Sequence, residues 1–233
     1  MSRSTRGLIH EPERVREEFD RIAEAGYRST YDASELFHDE MIAALPAHME
    51  RALDLGCGTG EIVRRLAGRA DHVLGLDLSP RMIEIARERT TSMPHVEYRV
   101  ADLMSVDLPS DSFDAVISVS TFHHVPLEPA LARAASWVRP GGWLLVVDLF
   151  DPKGFGGFVY NATWWGLKRV LERTRRRMEP SAALSEAWRI HDANDRHPAV
   201  AEIRAAARQL PGARVRVRRL WRWTLAWQKP DRE

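Results

Sequence analysis

Short apolar runs recur through the first 150 residues at positions 52–55, 72–78, 96–101, 113–119 and 143–150, and all but one of the intervals between them have helical spacing. Runs this short and unbroken read as strands buried on both faces of a parallel sheet. The intervals fit helices by period and by their ends. Residues 61–67 place Ile62, Val63 and Leu66 on one stripe. Ser79 is suited to an N-cap with Pro80 at the first helical position, and Met82, Ile83, Ile85 and Ala86 follow on one face. Residues 127–138 repeat the pattern, and Arg139, Pro140, Gly141 and Gly142 end it. Strand and helix alternating in this way imply right-handed crossovers and a doubly wound α/β sheet of Rossmann-like form.

The last third changes character. Residues 155–177 begin aromatic and end basic, and 198–210 form an amphipathic helix closed by Pro211 and Gly212. The period then becomes two: Arg214, Arg216 and Arg218 alternate with Val215 and Val217, and Trp223, Leu225 and Trp227 alternate again. This pattern predicts an antiparallel hairpin turning near residues 220–222. A length of 233 residues suits a single domain. Residues 1–45 are read as an N-terminal helical lid and 151–197 as a helical insertion capping the substrate.

One cysteine, Cys57, excludes a disulfide framework and a paired-cysteine zinc site, and no metal ligand set is read from the sequence. No apolar run approaches the ~20 residues of a bilayer span, and the two early arginines are not followed by an apolar stretch of the secretory kind. A soluble, cytoplasmic protein is expected. The net charge of +1 conceals 16 Lys+Arg against 24 Asp+Glu in residues 1–150 and 18 against 9 beyond them. Such asymmetry fits either a polyanionic partner or two oppositely charged parts packing together.

The most informative stretch runs from Asp54 to Gly60. Gly56, Gly58 and Gly60 permit a tight strand-to-helix turn and close approach of a ligand. A dinucleotide fingerprint would need glycine at position 61, but Glu61 stands there and would oppose a pyrophosphate at that helix end. Asp54 suits a ligand carrying positive charge. Asp77 ends the second strand, where a carboxylate can accept both hydroxyls of a ribose. Asp102 ends the third and can accept from an exocyclic amine, with Leu103 and Met82 flanking a flat ring. A cationic amino acid, a ribose and an adenine in that order describe S-adenosylmethionine.

These residues resemble the class I S-adenosylmethionine-dependent methyltransferases over roughly residues 35–150. Asp54, Gly56, Cys57, Gly58, Thr59 and Gly60 look like the family's first motif, and Asp77 with Leu78 like its ribose-binding acid. Asp102 with Leu103 resembles the adenine-binding motif, and residues 113–118, ending in Ser118, its fourth strand. The resemblance implies a seven-stranded sheet, mainly parallel with a C-terminal antiparallel hairpin, and S-adenosyl-L-methionine as cofactor. The cofactor carries the hard chemistry, so the protein must align the acceptor and, for some acceptors, take a proton.

His123 and His124 follow the fourth strand towards the expected methyl position, and are candidate bases because imidazole titrates near neutrality. Tyr27, Tyr31, Phe155, Phe158, Tyr160, Trp164 and Trp165 are candidate acceptor contacts, the last five beside Gly154, Gly156 and Gly157. A small, mainly apolar or aromatic acceptor fits this composition. The basic run at 168–177 also suits a membrane surface from which a lipid or quinone enters, or RNA phosphates. The RNA reading is disfavoured because no added RNA-binding module is present and the Asn/Asp-Pro-Pro-aromatic motif of base N-methylating enzymes is missing after the fourth strand. A noncatalytic cofactor-binding protein is the remaining alternative; oligomeric state is not legible.

Overall fold

The computed structural model describes residues 10–27, 35–152 and 181–231. Its seven strands are β1 (Met49–Leu55), β2 (Ala70–Asp77), β3 (Val96–Val100), β4 (Phe113–Val119), β5 (Val138–Leu149), β6 (Arg214–Val217) and β7 (Arg222–Gln228). They form one sheet in the order β3-β2-β1-β4-β5-β7-β6. Pairing is parallel from β3 to β5 and antiparallel from β5 through β7 to β6. The doubly wound sheet with a terminal hairpin is therefore what the chain forms. The described helices are α1 (Pro12–Glu24), α2 (Glu35–Ala43), α3 (Glu61–Leu66), α4 (Pro80–Arg89), α5 (Leu127–Trp137), α6 (Ala182–Asn194) and α7 (Val200–Ala207). Among the described residues no helix is long and apolar enough to cross a membrane.

The unbroken apolar runs of the central strands have a simple physical origin, since both faces of β4 and of the C-terminal halves of β1, β2 and β5 are buried. The run at 96–101 differs from its expectation, because β3 is an edge strand that buries only Tyr98 and leaves Val100 49% exposed. In β5, Leu144 and Val146 pack into one layer with Leu53 and Leu55, while Leu145 and Val147 enter the opposite layer with Ala52, Val63 and Ile117. Each of these leucine, valine and isoleucine side chains contributes about 1.5–3 kcal/mol on burial. Ser79 caps α4 as its position predicts: its Oγ accepts from the Met82 N–H at 3.0 Å and donates to Asp20 of α1 at 2.6 Å. A cap of this kind is worth about 1 kcal/mol, and here it also fastens α1 to the sheet.

One boundary differs from the sequence expectation. β5 starts at Val138, directly after α5, so Pro140, Gly141 and Gly142 lie within the strand instead of forming a loop. The β4–β5 register runs from Phe113↔Val138 to Ala115↔Trp143 and so absorbs the extra residues in an irregularity. A Cβ on Gly142 would stand 2.8 Å from the Asp114 carbonyl, so glycine lets the two strands approach. At the other end, Leu220 and Trp221 turn the hairpin with φ of 58° and 57°. Trp223 is fully buried behind that turn and donates to the Leu149 carbonyl at 2.9 Å.

The C-terminal ends of β1 to β5 share one edge. Between β1 and β4 the order reverses, which opens a crevice of the kind where ligands of α/β sheets bind. Tyr31, Phe155, Phe158, Tyr160, Trp164 and Trp165, and the basic run at 168–177, lie outside the described residues.

Candidate active site

A cleft of about 840 Å³ opens at this edge. Its floor is the turn after β1, where Gly56, Gly58 and Gly60 adopt φ of 69°, 50° and 79°. The three glycines have different reasons. A Cβ on Gly56 would lie 2.0 Å from Thr121 Oγ1, and one on Gly60 would lie 2.4 Å from the Tyr98 hydroxyl, whereas one on Gly58 meets nothing within 4 Å. Gly56 and Gly60 thus make room for the protein's own side chains, whereas a Cβ at Gly58 would meet open space.

Two carboxylates set the electrostatics of the turn. Asp77 accepts the Gly58 N–H at 2.8 Å and the Ser79 N–H at 2.9 Å, which ties the loop to the end of β2. Burial raises its pKa to about 6 against the lowering effect of those N–H groups. Asp54 is 2% exposed, and its Oδ2 is buried with no hydrogen-bond partner. Burial, reinforced by the charge of Asp77, pushes its pKa up to about 8. Burial likewise raises the Cys57 thiol well above its ordinary value, with both carboxylates adding to the effect, so this thiol remains neutral. Further along, Asp102 accepts the Met104 N–H at 2.8 Å and contacts His10 Nε2 at 2.9 Å.

Part of the lining is aromatic. Phe19 of α1 stands edge-on to Trp188 at 6.5 Å, and Tyr27 packs on Trp188 at 5.7 Å. Beside them the turn after β4 brings His123 and His124 against α6. His123 Nδ1 contacts Asp148 at 2.5 Å and its Nε2 lies 3.5 Å from Asp195; His124 Nδ1 lies 3.3 Å from Asp195. Burial alone would lower the pKa of His123, but Asp148 outweighs it and raises the value to about 9. Burial and the neighbouring His123 lower His124 to about 4. The two adjacent histidines therefore differ: His123 has both ring nitrogens engaged, and His124 Nε2 is buried without a partner.

Comparison with known proteins agrees with this geometry. The family described as a methyltransferase domain matches residues 53–146. An uncharacterized methyltransferase of Mycobacterium tuberculosis is 30% identical over 84% of this chain and 95% of its own. The chain belongs to the class I S-adenosylmethionine-dependent methyltransferases. A demethylmenaquinone methyltransferase of Tropheryma whipplei is 33% identical over 59% of the chain and 56% of its own length. The solved DhpI–S-adenosylhomocysteine complex shares the fold of this methyltransferase, with a TM-score of 0.64, 22% identity and coverage of 99% and 100%.

The residues of the methyltransferase fit the family's cofactor. The unpartnered Asp54 Oδ2 suits a cationic ligand, and Gly58 leaves open space beside the turn. Of the residues expected from sequence to bind it, Asp54, Gly56, Cys57, Gly58, Thr59, Asp77, Leu78, Met82, Asp102 and Leu103 line the cleft, as do Tyr27, His123 and His124. Two do not. Ser118 is fully buried and donates to the Leu55 carbonyl at 2.9 Å, so it ties β4 to β1. Gly60 faces Tyr98 and Ala86 instead of the cleft. Sequence reasoning missed His10 and Thr121, which both line the cleft, and the aromatic wall residues Phe19 and Trp188. Of these, Thr121 carried a signal, because it directly follows the strand whose end was already implicated.

Proposed function

We propose that this methyltransferase acts on a small, mainly apolar or aromatic molecule that binds against Phe19, Tyr27 and Trp188. The observation that carries this reading is that Phe19, Tyr27 and Trp188 line the same cleft as Asp54, Asp77 and Asp102. Among the described lining residues Arg222 is the one arginine or lysine, against Asp54, Glu61, Asp77, Asp102, Asp192 and Asp195. An acidic lining disfavours a polyphosphate strand, which is bound through basic groups. The name demethylmenaquinone methyltransferase carried by one relative points to the same kind of acceptor.

When bound, the cofactor supplies an activated methyl group on a sulfonium. The chain's own residues then hold, orient and shield. Asp54 in its ionised form offsets the cationic ligand, Asp77 holds the Gly58 N–H and offers its remaining lone pairs to a ribose, and the aromatic wall excludes water and fixes the acceptor. Positioning of this kind can account for several kcal/mol of barrier lowering. S-adenosylhomocysteine release, measured across small phenols, amines and quinones, tests the reading. Turnover with an aromatic acceptor whose KM rises in Trp188→Ala supports it. Turnover on RNA with none on any small molecule would overturn it.

A further inference from the structure

The histidine pair has company that linear spacing conceals. His123, His124, His191 and Asp195 each offer a ligand atom, and these atoms lie within 4.8 Å of one another. His191 and Asp195, four residues apart, project together from the end of α6, with His191 Nε2 at 3.3 Å from Asp195. Three imidazole nitrogens thus surround one carboxylate at 3.3, 3.3 and 3.5 Å. These separations are long for hydrogen bonds. The contacts of His123 and His191 to Asp195 Oδ2 are near the about 3.3–3.4 Å edge of a tetrahedron around a zinc ion with ligand bonds of about 2.0–2.1 Å. His124 instead reaches Oδ1, and the ligand atoms spread over up to 4.8 Å, so side-chain rotation must draw them together around an ion. All four side chains are at most 8% exposed.

A second observation stands behind the first. His123 turns its other nitrogen to Asp148 at 2.5 Å, and His191 turns its other nitrogen to Glu18 at 3.0 Å. Those carboxylates are held in turn: Asp148 accepts the His123 N–H at 3.0 Å, and Glu18 accepts from Arg14 at 3.0 Å and Asn194 at 2.7 Å. Carboxylate–histidine pairs that aim the far nitrogen at a common centre are how proteins orient metal-binding imidazoles.

We propose that His123, His124, His191 and Asp195 form a binding site for one zinc-type divalent cation. Three imidazoles and one carboxylate suit zinc or a neighbouring first-row ion, and do not suit magnesium or calcium, which prefer oxygen ligands. Four protein ligands fill a tetrahedral shell and leave no position for a substrate, so the ion is a structural tie. It joins the turn after β4 to α6, and through Asp148 and Glu18 it reaches β5 and α1. The proposal does not depend on the identity of the acceptor.

The test uses the full chain without an affinity tag. Chelator-stripped protein is titrated with zinc by calorimetry, its thermal midpoint is followed, and cobalt is added as a spectroscopic probe. Expected are one zinc per chain, a midpoint that rises with zinc, and the intense visible bands of tetrahedral cobalt. His191→Gln and Asp195→Asn should each weaken zinc by tenfold or more, with retained S-adenosylhomocysteine binding reporting that the variants fold. Should a variant not fold, the cobalt spectrum of the parent decides. No bound zinc and no tetrahedral cobalt bands would reduce the cluster to a proton-sharing network, and zinc bound equally by both variants would place any ion elsewhere; either outcome overturns the proposal.

Discussion

Replacing Gly58 and Gly56 separately by alanine distinguishes a glycine that admits a ligand from one that admits a neighbouring side chain. Both have left-handed φ, 50° and 69°, so an alanine at either is strained by about 1–2 kcal/mol. At Gly58 the added methyl meets nothing within 4 Å, and that strain is the whole expected loss of stability. At Gly56 the methyl would lie 2.0 Å from Thr121 Oγ1 and displace a side chain whose hydroxyl donates to the Leu55 carbonyl at 3.1 Å. Overpacking adds about 1–3 kcal/mol and the lost hydrogen bond about 1 kcal/mol. For a chain of this size about 1 kcal/mol shifts the thermal midpoint by roughly 2–4 °C. Gly58→Ala is therefore expected to melt about 2–8 °C below the parent, and Gly56→Ala roughly 6–24 °C below. The order reverses in usefulness for ligand binding: Gly58→Ala, nearly intact, should lose S-adenosylhomocysteine affinity about tenfold or more, because its methyl occupies the ligand's approach. Scanning calorimetry and binding titration read both effects. Equal melting losses would refute the packing argument, and undiminished binding by Gly58→Ala would refute the assignment of its open face to the cofactor.

Other expectations follow from the same cleft. Because Asp54 is held at about 8 in the ligand-free protein, S-adenosylmethionine binds its ionised form, so affinity should tighten from pH 6 to about 8 and flatten above, a dependence that Asp54→Asn removes. For folding the sign is opposite: a raised carboxyl stabilises the ligand-free protein at low pH, and that contribution is lost as pH rises through about 8, which denaturant titration at several pH values reads. His10 Nε2 rests on Asp102 Oδ2 at 2.9 Å, where an adenine amine is expected; a partly exposed contact of this kind is worth about 0–1 kcal/mol. His10→Ala should therefore bind S-adenosylhomocysteine up to about fivefold more tightly, and weaker binding would show that His10 helps to hold the ligand. Trp188→Ala should raise the acceptor KM while leaving cofactor affinity within about twofold of the parent, a split visible in steady-state kinetics.

How far the sequence carries depends on how local the cause is. The central strands β1, β2, β4 and β5 are legible because burial on both faces makes their apolar runs continuous, and Asp54, Asp77 and Asp102 are legible because each stands at or beside the end of an apolar run. The start of β5 was concealed because Pro140, Gly141 and Gly142 have the composition of a breaker, while the β4–β5 irregularity that accommodates them is a property of pairing. Ser118 sits at a strand end like the acids, yet its hydroxyl points to the Leu55 carbonyl, and a single-residue difference in facing cannot be read from the run itself. His123 and His124 stood out as a pair, but their partners come from elsewhere in the fold. The contact of His191 with Glu18 spans 173 positions and that of His10 with Asp102 spans 92. Contacts of that range are set by the crossover topology, which brings α1 and α6 over the same sheet edge, and no local periodicity records them.

The central claim is that the turn after β1 and the acids at the ends of β2 and β3 hold S-adenosylmethionine, and titration calorimetry of the parent beside Asp77→Ala tests it most directly. Asp77 holds the Gly58 and Ser79 N–H groups at 2.8 and 2.9 Å and faces the expected ribose. Loss of hydrogen bonding to a charged group costs about 1.5–3 kcal/mol, equivalent to roughly 10- to 150-fold in affinity. The account predicts one S-adenosylhomocysteine per chain for the parent and a loss of that size in the variant. A parent that binds none, or a variant that binds as tightly as the parent, would contradict it.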